Sequence, residues 1–150
     1  MSLNIIAELP LALSRALTEQ LCLLAEEILR DHQKNDFLVN LKFVDSEEMI
    51  TLNKSFRHKE KDTNVLSFPA APEAMVHSKE LGDIAICIPF VELEAKTLNR
   101  TKDDHMMHIT AHGILHLLGF DHINENDANL MESHEISQLK KFNIANPYLI

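Results

Sequence analysis

HGILHLLGFDH, residues 112–122, packs three histidines and two glycines into eleven positions. His112 and His116 stand four residues apart, so on a helix their rings share one face a single turn apart. Gly119 can take a positive φ, which ends a helix and lets the next residues swing back, bringing His122 toward the first pair. Zinc–nitrogen bonds of about 2.1 Å require donor nitrogens within roughly 3 to 4 Å of one another, and an i, i+4 pair meets that demand. Nine histidines is many for 150 residues, and His105 and His108 continue the same face. His108 and His116, however, are eight residues apart, about 12 Å of helix rise, and cannot hold the same ion. His105 and His108 are therefore expected to lie along the helix face, outside the ligand set.

Three protein ligands, His112, His116 and His122, leave a fourth position for water, the arrangement of a catalytic zinc with one ion per chain. Zinc so placed lowers the pKa of water toward about 7 and polarises a carbonyl or phosphoryl oxygen. The spacing H-x-x-x-H-x-x-G-x-x-H is that of the metzincin motif. Zinc peptidases carry a glutamate directly after the first histidine, where it takes the proton of the attacking water; Gly113 has no side chain to do so, and peptide hydrolysis is disfavoured.

Working outward, Lys102 or Asp103 should open the histidine helix, which runs through His116 to its end at Gly119. A further helix is expected over roughly Glu125 to Phe142. Upstream, Pro89 suits the first turn of a helix running to about Arg100. TNVLSF (63–68) and DIAICI (83–88) are β-rich runs that should pair in one sheet, joined by a long, proline-containing and mobile segment, PAAPEAMVHSKELG. FLVNLKFV (37–44) sets Phe37, Val39, Leu41 and Phe43 against Leu38, Asn40 and Lys42, the alternation of a half-buried strand. Asp45, with Glu48 three residues on, should cap a helix to about Phe56. NIIAEL (4–9) is a strand candidate, and from Pro10 to about His32 apolar residues recur at helical spacing. The order β-α-β-α-β-β-α-α-α predicts an α+β fold with helices packed on a small mixed β-sheet and the zinc site on a helix and its exit turn.

At 150 residues and 45% hydrophobic, residues 1–150 are expected to form a single domain. The absence of a charged leader followed by an apolar run, and of any apolar stretch near 18 residues, predicts a cytoplasmic protein with no membrane contact. Cys22 and Cys87 lie far apart in apolar surroundings, as reduced core thiols do. A net charge of −9 argues against a protein that coats nucleic acid nonspecifically, because such binding neutralises phosphates. One local exception is KSFRHKEK (54–61), with Lys54, Arg57, Lys59 and Lys61 against the single acid Glu60. A helix end in solvent explains the run equally well.

Three stretches carry a resemblance. HGILHLLGFDH (112–122) resembles the HG-x-LHL-x-G-Y-DH signature of the YbeY family of bacterial metal-dependent endoribonucleases; FRHKEKDTNVLSFP (56–69) and LGDIAI (81–86) resemble two further segments of it. Phe120 and Phe56 depart from the family's usual tyrosines, leaving the histidines and the arginine in place. The resemblance implies an α+β fold, zinc ligands at His112, His116 and His122, and an arginine important for activity at Arg57. It also implies cleavage of single-stranded RNA, maturation of small-subunit ribosomal RNA and ribosome quality control, with ribosomal RNA, the ribosome or small-subunit proteins as partners and no DNA. The alternatives are a non-catalytic ribosome-biogenesis factor with a structural zinc, and a zinc hydrolase of peptides or small molecules.

The chemistry agrees in one respect. A phosphodiester is an anion, and the planar fork of Arg57 suits its oxygens better than a lysine does. Spacing alone does not place Arg57 beside the histidines. The base also stays open among activated water, the RNA 2′-hydroxyl and Asp121, the last read chiefly as an acceptor for a histidine ring. Ser67 fits either a contact near the site or a strand end.

Overall fold

The computed structural model describes residues 2–6 and 13–149. In chain order the elements are β1 (Leu3–Ile6), α1 (Arg15–Asp31), β2 (Leu38–Val44), α2 (Ser46–Arg57), β3 (Val65–Pro69), α3 (Pro72–His77), β4 (Glu80–Cys87), α4 (Ile88–Thr97), α5 (Lys102–Leu117) and α6 (Glu125–Lys140). The sheet order is β1-β2-β4-β3, with β1, β2 and β4 mutually parallel and β3 antiparallel to β4. This is the expected α+β architecture with a small mixed sheet.

Local chemistry accounts for the boundaries. Val39, Leu41 and Phe43 of β2 are buried, as the alternation requires, while Asn40 on the other face accepts from Asn4 at 3.1 Å and donates to Asp83 at 3.0 Å. Asp45 caps α2 by accepting from the Glu48 N–H at 2.9 Å, and Ser14 caps α1 by accepting from the Leu17 N–H at 3.0 Å. That cap starts α1 five residues later than expected from Pro10. Residues 7–12, which include the end of the expected first strand, lie outside the described residues.

Two further boundaries differ from expectation. The segment between β3 and β4 holds α3, opened by Pro72 in its first turn and tied down by the Ala70 N–H on the Leu81 carbonyl at 3.0 Å. Six residues are fewer than two turns, too few for a periodic pattern. α4 stops at Thr97 rather than near Arg100 because Asn99 takes φ 55°, an excursion that asparagine tolerates better than most residues. Arg100 is thereby released from the helix.

The main core lies between the sheet and α1, α4, α5 and α6, with Ile84 and Ile86 of β4 facing it; Ala85 and Cys87 face a smaller cluster around Met49 of α2. β4 is thus covered on both sides. α5 crosses the centre of the main core, and Ala111, Ile114 and Leu115 are fully buried there. Cys87 is buried and Cys22 half-buried, both unbridged. Among the described residues, no helix is long and apolar enough to cross a membrane.

Candidate metal centre and its cleft

α5 starts at Thr101, whose hydroxyl accepts from the Asp104 N–H at 3.1 Å. Past its end the Gly119 N–H bonds the His116 carbonyl and the Phe120 N–H bonds the Leu115 carbonyl, at 3.0 and 3.1 Å. Gly119 has φ +101°, yet a Cβ there would meet nothing within 4 Å. The backbone angle, and not lack of space, demands glycine at this turn. The reversal returns His122 to α5, and one nitrogen from each of His112, His116 and His122 lies within 4.8 Å of the others.

Hydrogen positions follow from the partners. His112 Nδ1 is 3.0 Å from Glu135 Oε2, and His116 Nδ1 is 3.0 Å from the Phe120 carbonyl oxygen. A carboxylate and a carbonyl only accept, so each neutral ring donates from Nδ1 and keeps a lone pair on Nε2. The two Nε2 atoms face each other at 3.1 Å. Lone pairs so close repel unless a shared proton or a metal ion lies between them, and tetrahedral zinc sets its nitrogens about 3.4 Å apart. The donor set therefore fits a zinc-type divalent ion. Burial, reinforced by His112 and His122, lowers the pKa of His116 below the ordinary imidazole value and favours the neutral, ligating form.

Glu135 was not singled out by the sequence analysis. Its side chain is fully buried in α6; Oε1 lies 2.6 Å from His108 Nε2 and accepts from the Tyr148 hydroxyl at 2.5 Å. Burial alone would raise its pKa, but hydrogen bonds from His108, His112 and Tyr148 outweigh it and bring the value down to about 2. A signal was present: Met131, Glu135 and Leu139, at four-residue steps, are all buried, so a carboxylate sits on the core-facing stripe of α6.

His105 and His108 stay outside the donor set. Arg100 Nη1 lies 3.1 Å from His105 Nδ1 and 3.2 Å from His108 Nδ1, and His105 Nε2 reaches Glu94 at 3.0 Å. Asp121 accepts from the backbone N–H of His122 at 2.7 Å, while the ring acceptors are Glu135 and Phe120. Ser67 Oγ donates to the Gly113 carbonyl at 3.1 Å. A Cβ at Gly113 would stand 3.1 Å from two carbons of Ile84 and 3.4 Å from Ser67 Oγ. Glycine here lets α5 lie directly on the sheet, and a larger residue has to displace the Ile84 side chain by a few tenths of an ångström.

Arg57 enters from the opposite side. α2 ends as His58 adopts φ 58°, and the buried Asn53 donates to the Lys61 carbonyl at 2.9 Å, tying the basic segment back to the helix. Arg57, Asn64, Ser67 and the three histidines line one cleft of about 580 Å³. Spacing could not supply this juxtaposition; tertiary structure makes it.

The buried imidazoles carry a pH dependence. Burial lowers the pKa of His105 against an opposing pull from Glu94, and lowers that of His116 as well. An imidazole free in the unfolded chain titrates near 6.5, so below that pH the unfolded chain binds more protons than the folded one. Stability is present above about pH 6.5 and falls as pH drops through the depressed values. Thermal melts of the metal-free protein should move downward between about pH 7.5 and 5.5; a flat or rising profile contradicts the neutral-ring assignment.

The family description Endoribonuclease YbeY matches residues 11–143. A Coxiella burnetii protein of that name is 44% identical over 115 residues, covering 77% of this chain and 76% of its own. An Acinetobacter baumannii namesake is 48% identical over 120 residues, with 77% and 76% covered. The fold is similar to the solution structure of a Thermotoga maritima protein, with TM-score 0.63, 27% identity, and 94% of this chain and 91% of that one covered. With a family match along most of its length and relatives well above 40% identity, the chain belongs to the YbeY endoribonuclease family.

Proposed function

We propose that residues 1–150 act as one metal-dependent endoribonuclease domain. It uses one zinc ion in a metzincin-like site at His112, His116 and His122, and cleaves single-stranded RNA in the cytoplasm. Its role is maturation of small-subunit ribosomal RNA and ribosome quality control, with ribosomal RNA and the ribosome or small-subunit proteins as partners. The observation that carries this reading is the convergence of three imidazole nitrogens in the same cleft as Arg57. The endoribonuclease names of the relatives supply the reaction class.

Zinc, when bound, supplies Lewis acidity toward a phosphoryl oxygen and toward water. The chain's own residues do the rest. Glu135 and the Phe120 carbonyl hold hydrogens on the Nδ1 atoms of His112 and His116 and so keep both Nε2 atoms as donors. The Arg57 guanidinium offers paired N–H groups to the non-bridging phosphate oxygens, whose charge grows in the transition state. Asp121, solvent-exposed in the same cleft, is available to take a proton.

The test uses purified full-length protein with a single-stranded RNA and its duplex. Cleavage of the single strand should stop on chelation and return with stoichiometric zinc, while the duplex stays intact. Cleavage indifferent to chelation would sink the metal-dependent reading.

A further inference from the structure

We infer that Glu135 is the positioning residue of the histidine site, and that Tyr148, from the last residues of the chain, sets how firmly it holds His112. The inference rests on the ligand assignment above. A guanidinium only donates, so His108 Nδ1, 3.2 Å from Arg100 Nη1, must be an acceptor. The His108 hydrogen is then on Nε2, which donates to Glu135 Oε1 at 2.6 Å. The same oxygen accepts from the Tyr148 hydroxyl at 2.5 Å, and Oε2 is left to accept from His112 Nδ1 at 3.0 Å. Every hydrogen between Arg100 and His112 thus has one direction, and the chain of bonds ends in the lone pair on His112 Nε2 that faces His116.

The two α5 ligands are held in different ways. His116 is oriented by a main-chain carbonyl of its own turn, Phe120. His112 is oriented by a side chain on another helix, and that side chain is in turn held by a residue beyond it. With no carboxylate at 135, the His112 ring is free to carry its hydrogen on Nε2, where it blocks donation. Tyr148 lies outside residues 11–143, the span of the family match. Its ring stands edge-on to His108 at 5.4 Å. Burial and the adjacent Glu135 raise the pKa of its hydroxyl above the ordinary phenol range, which keeps it a donor.

The test reads metal affinity rather than RNA cleavage. Metal-stripped full-length protein is titrated with zinc against a chelator, and with cobalt to follow the visible bands of the bound ion. Glu135→Gln keeps the size, but its amide N–H groups must meet one of two ring N–H donors. Zinc affinity should fall about 10- to 100-fold, the usual consequence of losing an acceptor behind a ligating histidine, and the cobalt bands should shift. Tyr148→Phe leaves the ring in place and removes one hydrogen bond to Glu135, lowering affinity about three- to tenfold. Glu135→Asp, which keeps the charge, should bind better than Glu135→Gln.

A merely structural Glu135 would move the melting temperature and leave zinc affinity and cobalt bands alone. If both Glu135→Gln and Tyr148→Phe bind zinc within about twofold of the unmodified protein, well inside the usual effect, the inference fails while the ligand assignment stands. If Glu135→Gln does not fold, unchanged affinity in Tyr148→Phe overturns the inference. An unmodified protein that binds no zinc overturns both the inference and the ligand assignment, and failure to cleave RNA bears on neither.

Discussion

Arg57→Ala lowers the single-turnover rate of single-stranded RNA cleavage about 10²- to 10³-fold while zinc content and folding stay normal. Charge accumulates on the phosphoryl oxygens at the transition state, and one preorganised donor aimed at such charge is worth on the order of 3 to 4 kcal/mol. Arg57 is solvent-exposed at the end of α2, so its loss leaves no cavity and should leave the fold intact. Arg57→Lys restores only part of the rate, because a point charge on a flexible stem does not reproduce the bidentate fork. Single-turnover kinetics, with zinc measured on the same preparation, checks the result. A rate within about threefold of the unmodified protein, well below the tenfold that 1.4 kcal/mol represents, removes Arg57 from the transition state.

His116→Ala acts on the other half of the site and has a different signature. Zinc binding worth about 10 to 16 kcal/mol in sites of four protein ligands corresponds to about 2.5 to 4 kcal/mol for each. One histidine fewer therefore weakens binding about 10²- to 10³-fold, and cleavage falls with it. Zinc content drops from about one per chain toward zero, whereas Arg57→Ala leaves it unchanged. His105, whose ring nitrogens are taken up by Arg100 and Glu94, should retain zinc when replaced by glutamine. Metal analysis of the purified variants decides; His105→Gln losing zinc as completely as His116→Ala would overturn the ligand set. Cleavage that survives in an identically purified His116→Ala preparation exposes a contaminating ribonuclease.

The two halves of the site differ in how far they could be read from sequence. The histidine helix and its exit were legible because their determinants are local: Gly119 reverses the chain, and an i, i+4 pair shares a face whatever else the fold does. β3 and β4 were legible as partners because both are short apolar β-rich runs, and they pair antiparallel. The place of Arg57 was not, since it depends on the connection from β2 through α2 to β3 at the sheet edge and on Asn53 tying down residue 61. Glu135 was missed for a related reason. Its partner His112 lies 23 residues upstream, and among the three glutamates of α6 only its four-residue step from Met131 and Leu139 sets it apart from a solvent-facing charge. α3 fell below the length at which periodicity speaks.

The three histidines do not share one degree of restraint. His112 and His116 project from a helix packed into the middle of the main core, the kind of element whose opening costs close to the global unfolding free energy. His122 sits past the Gly119 turn on an exposed stretch, and moving it breaks little besides its own short-range contacts. Such segments open at a small fraction of the global unfolding free energy. An ion held by the three rings would therefore be taken up and surrendered by the swing of one arm while the other two stay fixed. Its exchange rate would belong to a surface turn, decoupled from the lifetime of the fold, and a chelator would empty the site without denaturing the protein.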